Sequence, residues 1–200
     1  MSNIVTTKGE ILQDPPIVQT LLNDPRAGLV WFFLRIWLGW QWVHTAWLKL
    51  QDPAWSSSGD AMRSFWQEMV AATDTPAWYR AIMQALLNAE AWTWFGKIVL
   101  YAEFIVGIAL ILGLFTGIAA FLGAFISWNF IMSGSISANP IMFVIALGLI
   151  MAWKVAGYVG FDFILLPWLG TPWHGKPLRL LSREWATTSK DDPADLEESS

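Results

Sequence analysis

Four apolar runs, each close to 20 residues long, constrain the fold of this chain more than any other feature. An α-helix rises about 1.5 Å per residue, so about 20 apolar residues cross the roughly 30 Å hydrocarbon core of a bilayer. We therefore predict an all-α membrane protein with a four-transmembrane-helix bundle. The predicted spans cover residues 28–48, 94–112, 115–132 and 141–160.

The overall composition agrees with burial in lipid rather than with a soluble domain. Charged residues make up 14% of the chain, whereas a soluble domain carries about a quarter. The chain also contains 15 tryptophans. Tryptophan favours the boundary between hydrocarbon and water, where its ring is buried and its N–H remains hydrated.

The segment between the first and second spans has helical periodicity but is too polar to cross a membrane. Apolar side chains recur at i, i+3, i+4, i+7 and i+8 from Met62, which is typical of one face of an α-helix. A second such stripe follows Pro76. We predict interfacial helices at about 60–71 and 76–91, which form an amphipathic hairpin on the membrane face.

The two ends of the chain differ from the helical domain at 28–165. Residues 1–27 form a polar N-terminal leader, residues 166–189 an interfacial segment interrupted by prolines and glycines, and residues 190–200 an acidic tail predicted to be disordered. Lys and Arg are more numerous on the side of the termini. This bias predicts a multi-pass protein of the cell membrane with cytoplasmic termini.

Ionisable side chains within spans are costly, so each is treated as functional until a partner is found. Taking the side of the hairpin as the outer face, His44, Glu103 and Asn129 fall in the outer half and are predicted to share one pocket. Arg35 and Lys154 fall in the inner half, where they have structural roles. Arg35 is expected to pair with Asp162 or with backbone carbonyls, and Lys154 to extend towards the interface.

The outer group has the chemistry of a quinone site. A quinone needs a hydrogen-bonding group near each carbonyl inside an aromatic, apolar pocket. His44 can donate or accept a proton near neutral pH, and a buried Glu103 can relay it. These two are the candidate catalytic residues. The candidate quinone-binding residues are Asn129, Trp128, Gln41, Trp40 and Trp47.

Each of these residues also has a plain structural interpretation. Glu103 can pair with a cation and merely fix helix packing, and His44 can be an interfacial hydrogen bonder without a catalytic duty. The tryptophans can form an interfacial belt. Both interpretations remain open at this point.

Several other kinds of site are excluded or unsupported by the sequence. The chain has no cysteine and two histidines, so it cannot form thiolate metal sites, iron–sulfur ligation or a persulfide, and we expect neither metal nor haem. There is no basic patch of the kind that binds nucleic acid, and no phosphate-binding loop.

Three stretches resemble the DoxX/DoxD-like integral membrane proteins, which include the large membrane subunit of thiosulfate:quinone oxidoreductase. They are RIWLGWQWVHTAWLKLQDP with Arg35, Gly39 and Lys49, YAEFIVGIALILGLFTGIAAFLGAF with Glu103, and NFIMSGSISANPIMF. The resemblance covers residues 28–165. It implies a four-helix membrane bundle that acts with a partner protein in redox or sulfur metabolism.

The sequence therefore supports two main hypotheses, and a third, a small transporter, is less favoured because the four spans show no evident inverted repeat. In the first, the chain is the membrane subunit of a quinone-linked redox complex, with a quinone as cofactor and electrons from a small soluble or membrane redox subunit or from a sulfur compound such as thiosulfate. In the second, it is a non-catalytic accessory subunit that scaffolds a larger complex. Both imply the lipid bilayer and other protein subunits as partners.

Overall fold

A computed structural model of the chain describes residues 4–5, 11–12, 15–24, 27–134 and 137–168. Nearly all of this part is α-helical, apart from a two-stranded antiparallel ladder of β1 (Ile4–Val5) and β2 (Ile11–Leu12). The helices, in chain order, are α1 (Pro16–Asn23), α2 (Gly28–Gln51), α3 (Asp60–Ala71), α4 (Ala77–Asn88), α5 (Trp92–Leu112), α6 (Thr116–Met132), α7 (Asn139–Met151), α8 (Trp153–Ala156) and α9 (Asp162–Trp168).

Helices α2 and α5 pack antiparallel at very close range because two glycines face each other. A Cβ on Gly39 would lie 2.8 Å from the Gly107 carbonyl oxygen, and a Cβ on Gly107 would lie 2.8 Å from the Gly39 carbonyl oxygen. Only residues without a side chain permit this approach. The contact fixes the register of α2 on α5, and α6 and α7 complete the main apolar core.

Within the described residues, one helix, α5, is both long and apolar enough to cross a membrane. Helices α6 and α7 are apolar but shorter. The predicted bounds of the first three spans agree with α2, α5 and α6 to within three residues. The all-helical fold class is thus confirmed, together with one helix of membrane-spanning length.

The predicted fourth span is wrong as a continuous helix over 141–160. Helix α7 ends at Met151, Ala152 leaves the helical conformation with ψ 16°, and α8 ends at Ala156. The chain then turns to α9. A buried arginine of α2, Arg35, donates hydrogen bonds to the carbonyl groups of Ala156 at the end of α8 and of Val159 beyond it.

Helices α3 and α4 form the predicted hairpin over the end of the α2–α5 pair. Their apolar faces make a second, separate core whose central residues are Met62, Trp66, Met69, Tyr79 and Met83. The hairpin packs on α5 at Gly96, where a Cβ added to the glycine would lie 3.2 Å from the Cβ of Met62. A π-helical turn at Ala54–Ser58, which the sequence analysis does not include, joins α2 to the hairpin.

The ends of the chain are only partly described. Helix α1 lies within the predicted leader 1–27. Of the predicted interfacial segment 166–189, only the residues up to Trp168 belong to the described part, and the acidic tail 190–200 lies outside it.

Candidate functional site

The carboxyl group of Glu103 lies at the centre of the outer half of the helical core. The side chain is 0% exposed, and its Oε1 accepts a hydrogen bond from Lys49 Nζ at 2.6 Å. Lys49 belongs to the last turns of α2, and its side chain is 19% exposed. This is the one salt bridge between side chains in the described residues, and we refer to it as the Lys49–Glu103 pair.

Aromatic rings enclose the ammonium group of the pair. Lys49 Nζ lies 4.7 Å from the ring centroid of Trp55 in the π-helical turn and 4.7 Å from that of Phe130 in α6. Phe65 of α3 in turn packs edge-on against Phe130, with ring centroids 5.6 Å apart. The hairpin therefore covers the pair, and cation–π contacts stabilise the charge where water is largely excluded.

The other carboxyl oxygen of Glu103, Oε2, has no hydrogen-bond partner among the described residues, and neither have two other buried polar atoms, Trp42 Nε1 and Ser127 Oγ. A Cβ on Gly123 would lie 3.1 Å from Trp42 Nε1 and 3.4 Å from Val106 Cγ1, so α2, α5 and α6 meet there. Glu103 lies one turn before Val106. Ser127 lies one turn after Gly123 on the antiparallel helix, which places it at the level of Glu103.

Buried polar groups are usually hydrogen-bonded, so these unpaired atoms are notable. A carboxylate oxygen, a hydroxyl and an indole N–H at adjacent levels supply one acceptor, one group that both donates and accepts, and one donor. The arrangement can hold a proton on Glu103 or stabilise its charge. It is therefore the best candidate in the described residues for proton chemistry.

The predicted placement of His44 in the same pocket is wrong. His44 lies on the exposed face of α2, where its ring stacks on Trp40 with centroids 6.2 Å apart. The buried stripe of α2 includes Trp42 and Ala46. At 100° per residue, His44 is displaced by 200° from both, which turns its side chain away from Glu103.

The tryptophans of α2 that were predicted as pocket walls also point outwards. Trp40 is 57% exposed and Trp47 is 51% exposed. Gln41 is half-buried at the edge of the α2 packing face. The exposed rings of Trp40 and Trp47 do not line a pocket around Glu103, so that part of the prediction is wrong. The role of Gln41 stays a prediction.

Asn129 and Trp128 belong instead to an aromatic cluster on α4 and α6. The rings of Trp78 and Trp128 stack at 6.3 Å with an interplanar angle of 20°, and Phe125 stacks on Trp128 at 6.1 Å. Asn129 Oδ1 accepts a hydrogen bond from the Tyr79 hydroxyl at 3.0 Å, and its Nδ2 donates to the Phe125 carbonyl at 2.8 Å. We call Trp78, Tyr79, Phe125, Trp128 and Asn129 the aromatic cluster.

The aromatic cluster and the Lys49–Glu103 pair adjoin through α6. Phe130, whose ring contacts Lys49, directly follows Asn129 in the chain. Burial raises the pKa of the Tyr79 hydroxyl above its ordinary value of 10.0. Tyr79 therefore remains a hydrogen-bond donor at neutral pH.

A second polar centre lies at the opposite end of the bundle. Arg35 is 1% exposed, and its guanidinium donates to the Ala156 carbonyl at 2.9 Å and to the Val159 carbonyl at 2.6 Å. Asp162 caps α6 by accepting hydrogen bonds from the N–H groups of Phe115 at 2.6 Å and Thr116 at 2.7 Å. We call Arg35, Asp162 and these backbone groups the Arg35–Asp162 cluster.

The Arg35–Asp162 cluster has the form of a structural clasp. Backbone carbonyls were among the partners expected for Arg35 from the sequence, and those that it bonds belong to the end of α8 and to the turn that follows. Lys154, by contrast, is exposed, and its ammonium lies 5.7 Å from the ring centroid of Trp153. Both inner-half cations thus have local partners other than a ligand.

The sequence analysis missed two residues of the outer site, Lys49 and Tyr79. Lys49 follows Trp42 and Arg35 at intervals of seven residues, so the stripe spacing places it on the buried face of α2. That signal was present in the sequence. The contact of Tyr79 with Asn129 depends on how the hairpin packs over α6, which no local pattern specifies.

Among the described residues no group of three or more His, Asp or Glu side chains could hold a metal ion. No protein-family model matches the chain, and neither a curated protein nor a solved structure shows significant similarity to it.

Proposed function

We propose that this chain is the membrane subunit of a quinone-linked redox complex, and that the Lys49–Glu103 pair handles the proton of the reaction. The observation that carries the proposal is the buried carboxylate, which is 0% exposed, paired on one oxygen and unpaired on the other. An ionisable group in such a place is expensive, and its usual justification is function.

Several apolar side chains support a multi-pass position in the membrane. They project from the outer faces of α2, α5, α6 and α7 and are more than half exposed, which would be costly in water. Examples are Phe33, Ile105, Phe121 and Val144, which are 63%, 65%, 60% and 65% exposed. We propose that α2, α5, α6 and the broken pair α7–α8 span the bilayer, with the hairpin on the outer face and the termini in the cytoplasm.

The resemblance to DoxX/DoxD-like proteins supports the same assignment. Arg35, Gly39, Lys49 and Glu103 carry the resemblance in the sequence, and each lies where α2 or α5 meets a neighbour, Lys49 being partly exposed and the other three buried. Electrons would come from a partner subunit or from a small sulfur compound such as thiosulfate. This chain has no cysteine to hold a persulfide, so sulfur chemistry of that kind would require the partner.

The residues of the aromatic cluster fit a quinone. A quinone ring needs flat apolar surfaces and hydrogen-bond donors, and the indoles of Trp78 and Trp128 offer the surfaces. The Tyr79 hydroxyl, which donates to Asn129 Oδ1 in the structure, would supply a donor by turning to a quinone carbonyl. When bound, a quinone would take up two electrons and two protons.

The Lys49–Glu103 pair would supply and recover protons behind Phe130. Glu103 can carry a proton on its unpaired Oε2, while Lys49 Nζ keeps a hydrogen bond to Oε1. The ammonium stabilises the carboxylate when the proton has left. The rings of Trp55 and Phe130 limit the access of water, so the proton is held until a base is within reach.

The test is quinone reduction by the purified complex with Glu103→Gln. The amide has the same shape but cannot exchange a proton, and loss of a general acid or base typically lowers turnover by about 10²-fold to 10⁴-fold. The control is Glu90→Gln, which removes an exposed carboxylate. Assembly is checked by gel filtration. Normal turnover by an assembled Glu103→Gln complex would refute the proposed role.

A specific surface feature favours the accessory-scaffold function as the second candidate. Phe33, Trp37, Trp40, His44 and Trp47 form an aromatic row along the outward face of α2. Such a row can dock on neighbouring membrane subunits. Mass spectrometry of everything that copurifies in mild detergent separates the candidates, because a stoichiometric quinone supports the first and a large assembly without quinone supports the second.

A further inference from the structure

A polar groove crosses the hairpin between α3, α4 and the start of α5. Its volume is about 360 Å³, which lies at the lower end of the range for small-molecule sites. Arg63 and Gln67 form one wall on α3, and Gln84 and Asn88 form the other wall on α4. None of these residues belongs to the Lys49–Glu103 pair or to the aromatic cluster.

Arg63 supplies an unneutralised positive charge at one end of this groove. Its Cζ lies 4.9 Å from the ring centroid of Trp92, so the guanidinium is held by a cation–π contact. No carboxylate of the described residues lies within ion-pair distance of it, although Asp60 lies three residues before it in the sequence. The edge of the guanidinium remains available for two parallel hydrogen bonds to a planar anion.

The carboxamides opposite Arg63 are partly ordered by one another. Gln84 Nε2 donates to Asn88 Oδ1 at 2.9 Å across one turn of α4. This bond fixes Asn88 with its NH₂ group free to act as a further donor. Gln67 lies one turn after Arg63 on the facing helix, so donors line both sides of the groove.

The lining between the polar walls is apolar. Val70, Leu87 and the indole of Trp92 contribute to it, beside the charge of Arg63. A charged group next to an apolar surface selects a ligand that has both properties. An inorganic oxyanion would use the donors and leave this surface in contact with water.

We propose that this groove binds a small organic acid. Its carboxylate would accept hydrogen bonds from Arg63 and the carboxamides, and its short apolar body would lie on Leu87 and Trp92. This inference does not depend on the proposed redox function, because it involves other residues. It adds a site for a soluble anionic ligand on the hairpin.

The experiment is a ligand-observed NMR titration of the full chain in mild detergent with benzoate as the probe. We expect a Kd on the order of 1 mM, as suits a fragment of this size. Benzyl alcohol, which has the same ring without the charge, and sulfate, which has charge without the ring, should both bind at least about tenfold more weakly.

Variants then locate the binding. Arg63→Gln should raise the Kd of benzoate at least about tenfold, and Arg63→Lys should lose part of the affinity because an ammonium lacks the planar fork. Lys154→Gln removes an exposed charge elsewhere and should leave the Kd unchanged. Should Arg63→Gln fail to fold, Gln84→Ala gives the same test with a smaller expected loss.

Two results would overturn the proposal. Benzoate binding that is equal in the wild type and in Arg63→Gln would mean partition into detergent. Sulfate binding as tightly as benzoate in an Arg63-dependent manner would mean an anion site with no organic specificity.

Discussion

The Lys49–Glu103 pair offers the sharpest test of how the outer half of the core is stabilised. Breaking a buried pair by removing one partner typically costs about 3–5 kcal/mol, because the other charge is left uncompensated. The two partners are not equally buried, since the Lys49 side chain is 19% exposed and Glu103 is 0% exposed. The two single substitutions should therefore have unequal effects.

After Glu103→Met, the Lys49 ammonium can move towards solvent, so we expect a loss of about 2–3 kcal/mol, below the usual range. After Lys49→Met, Glu103 cannot reach solvent, and we expect a loss of about 3–5 kcal/mol. The double variant Lys49→Met/Glu103→Met replaces the pair by apolar side chains of similar volume. Its free energy of unfolding should lie within about 1 kcal/mol of the wild type.

The assay is denaturant unfolding in mild detergent, followed by tryptophan fluorescence. Lys154→Met serves as the control, because Lys154 is exposed and its removal should change the free energy of unfolding by less than about 0.5 kcal/mol. The two single losses less the double loss give an expected coupling energy of about 4 kcal/mol or more between the two positions. Additive single and double losses, or a harmless Lys49→Met, would refute it.

Three further predictions concern the rest of the fold. A side chain at either Gly113 (φ 69°) or Gly134 (φ 80°) causes backbone strain of roughly 1–2 kcal/mol, because both have positive φ. A Cβ at Gly113 would also collide with Arg35, whereas a Cβ at Gly134 would meet no atom within 4 Å. Gly113→Ala should therefore lower the free energy of unfolding by more than this strain alone, and Gly134→Ala should not. Asp162→Asn halves the capping of α6 and should cost about 1–2 kcal/mol in the same unfolding assay, with no loss expected if the cap is irrelevant. Burial raises the pKa of Tyr79 above its ordinary value of 10.0. The buried neutral phenol therefore stabilises the fold below pH 10.0, and this stabilisation is lost as the pH rises through the pKa of Tyr79 in the folded state. Tyr79→Phe should reduce the loss of stability at alkaline pH in a pH series of unfolding midpoints.

The sequence predicted helix positions well, because long apolar runs and amphipathic stripes report on local structure. The hairpin is an example, with α3 at Asp60–Ala71 against a prediction of 60–71. The break at Ala152 was missed for a physical reason. No proline marks it, and apolar residues continue on both sides of it, so the local sequence carries no stop signal.

The candidate site was only partly predicted. The prediction used the distance of each residue from the end of its span and did not use which side of the helix its side chain faces. Glu103 was identified correctly as a buried ionisable residue. His44 lies at a suitable depth but on the opposite face from Trp42. Lys49 lies on the buried face of α2 but one residue beyond the predicted span at 28–48, so the prediction did not treat it as a partner inside the bundle.

The buried face of α2 carries a cation near each end, and the two ends differ in what they can do. Arg35 is bonded to carbonyls that the fold must satisfy in any case, and an arginine does not give up its proton in a protein. At the other end, Glu103 has an oxygen with no partner among the described residues and can gain or lose a proton. One end can therefore only clasp the chain, while the other can exchange protons, and this asymmetry is why the proposed chemistry belongs to the Lys49–Glu103 pair.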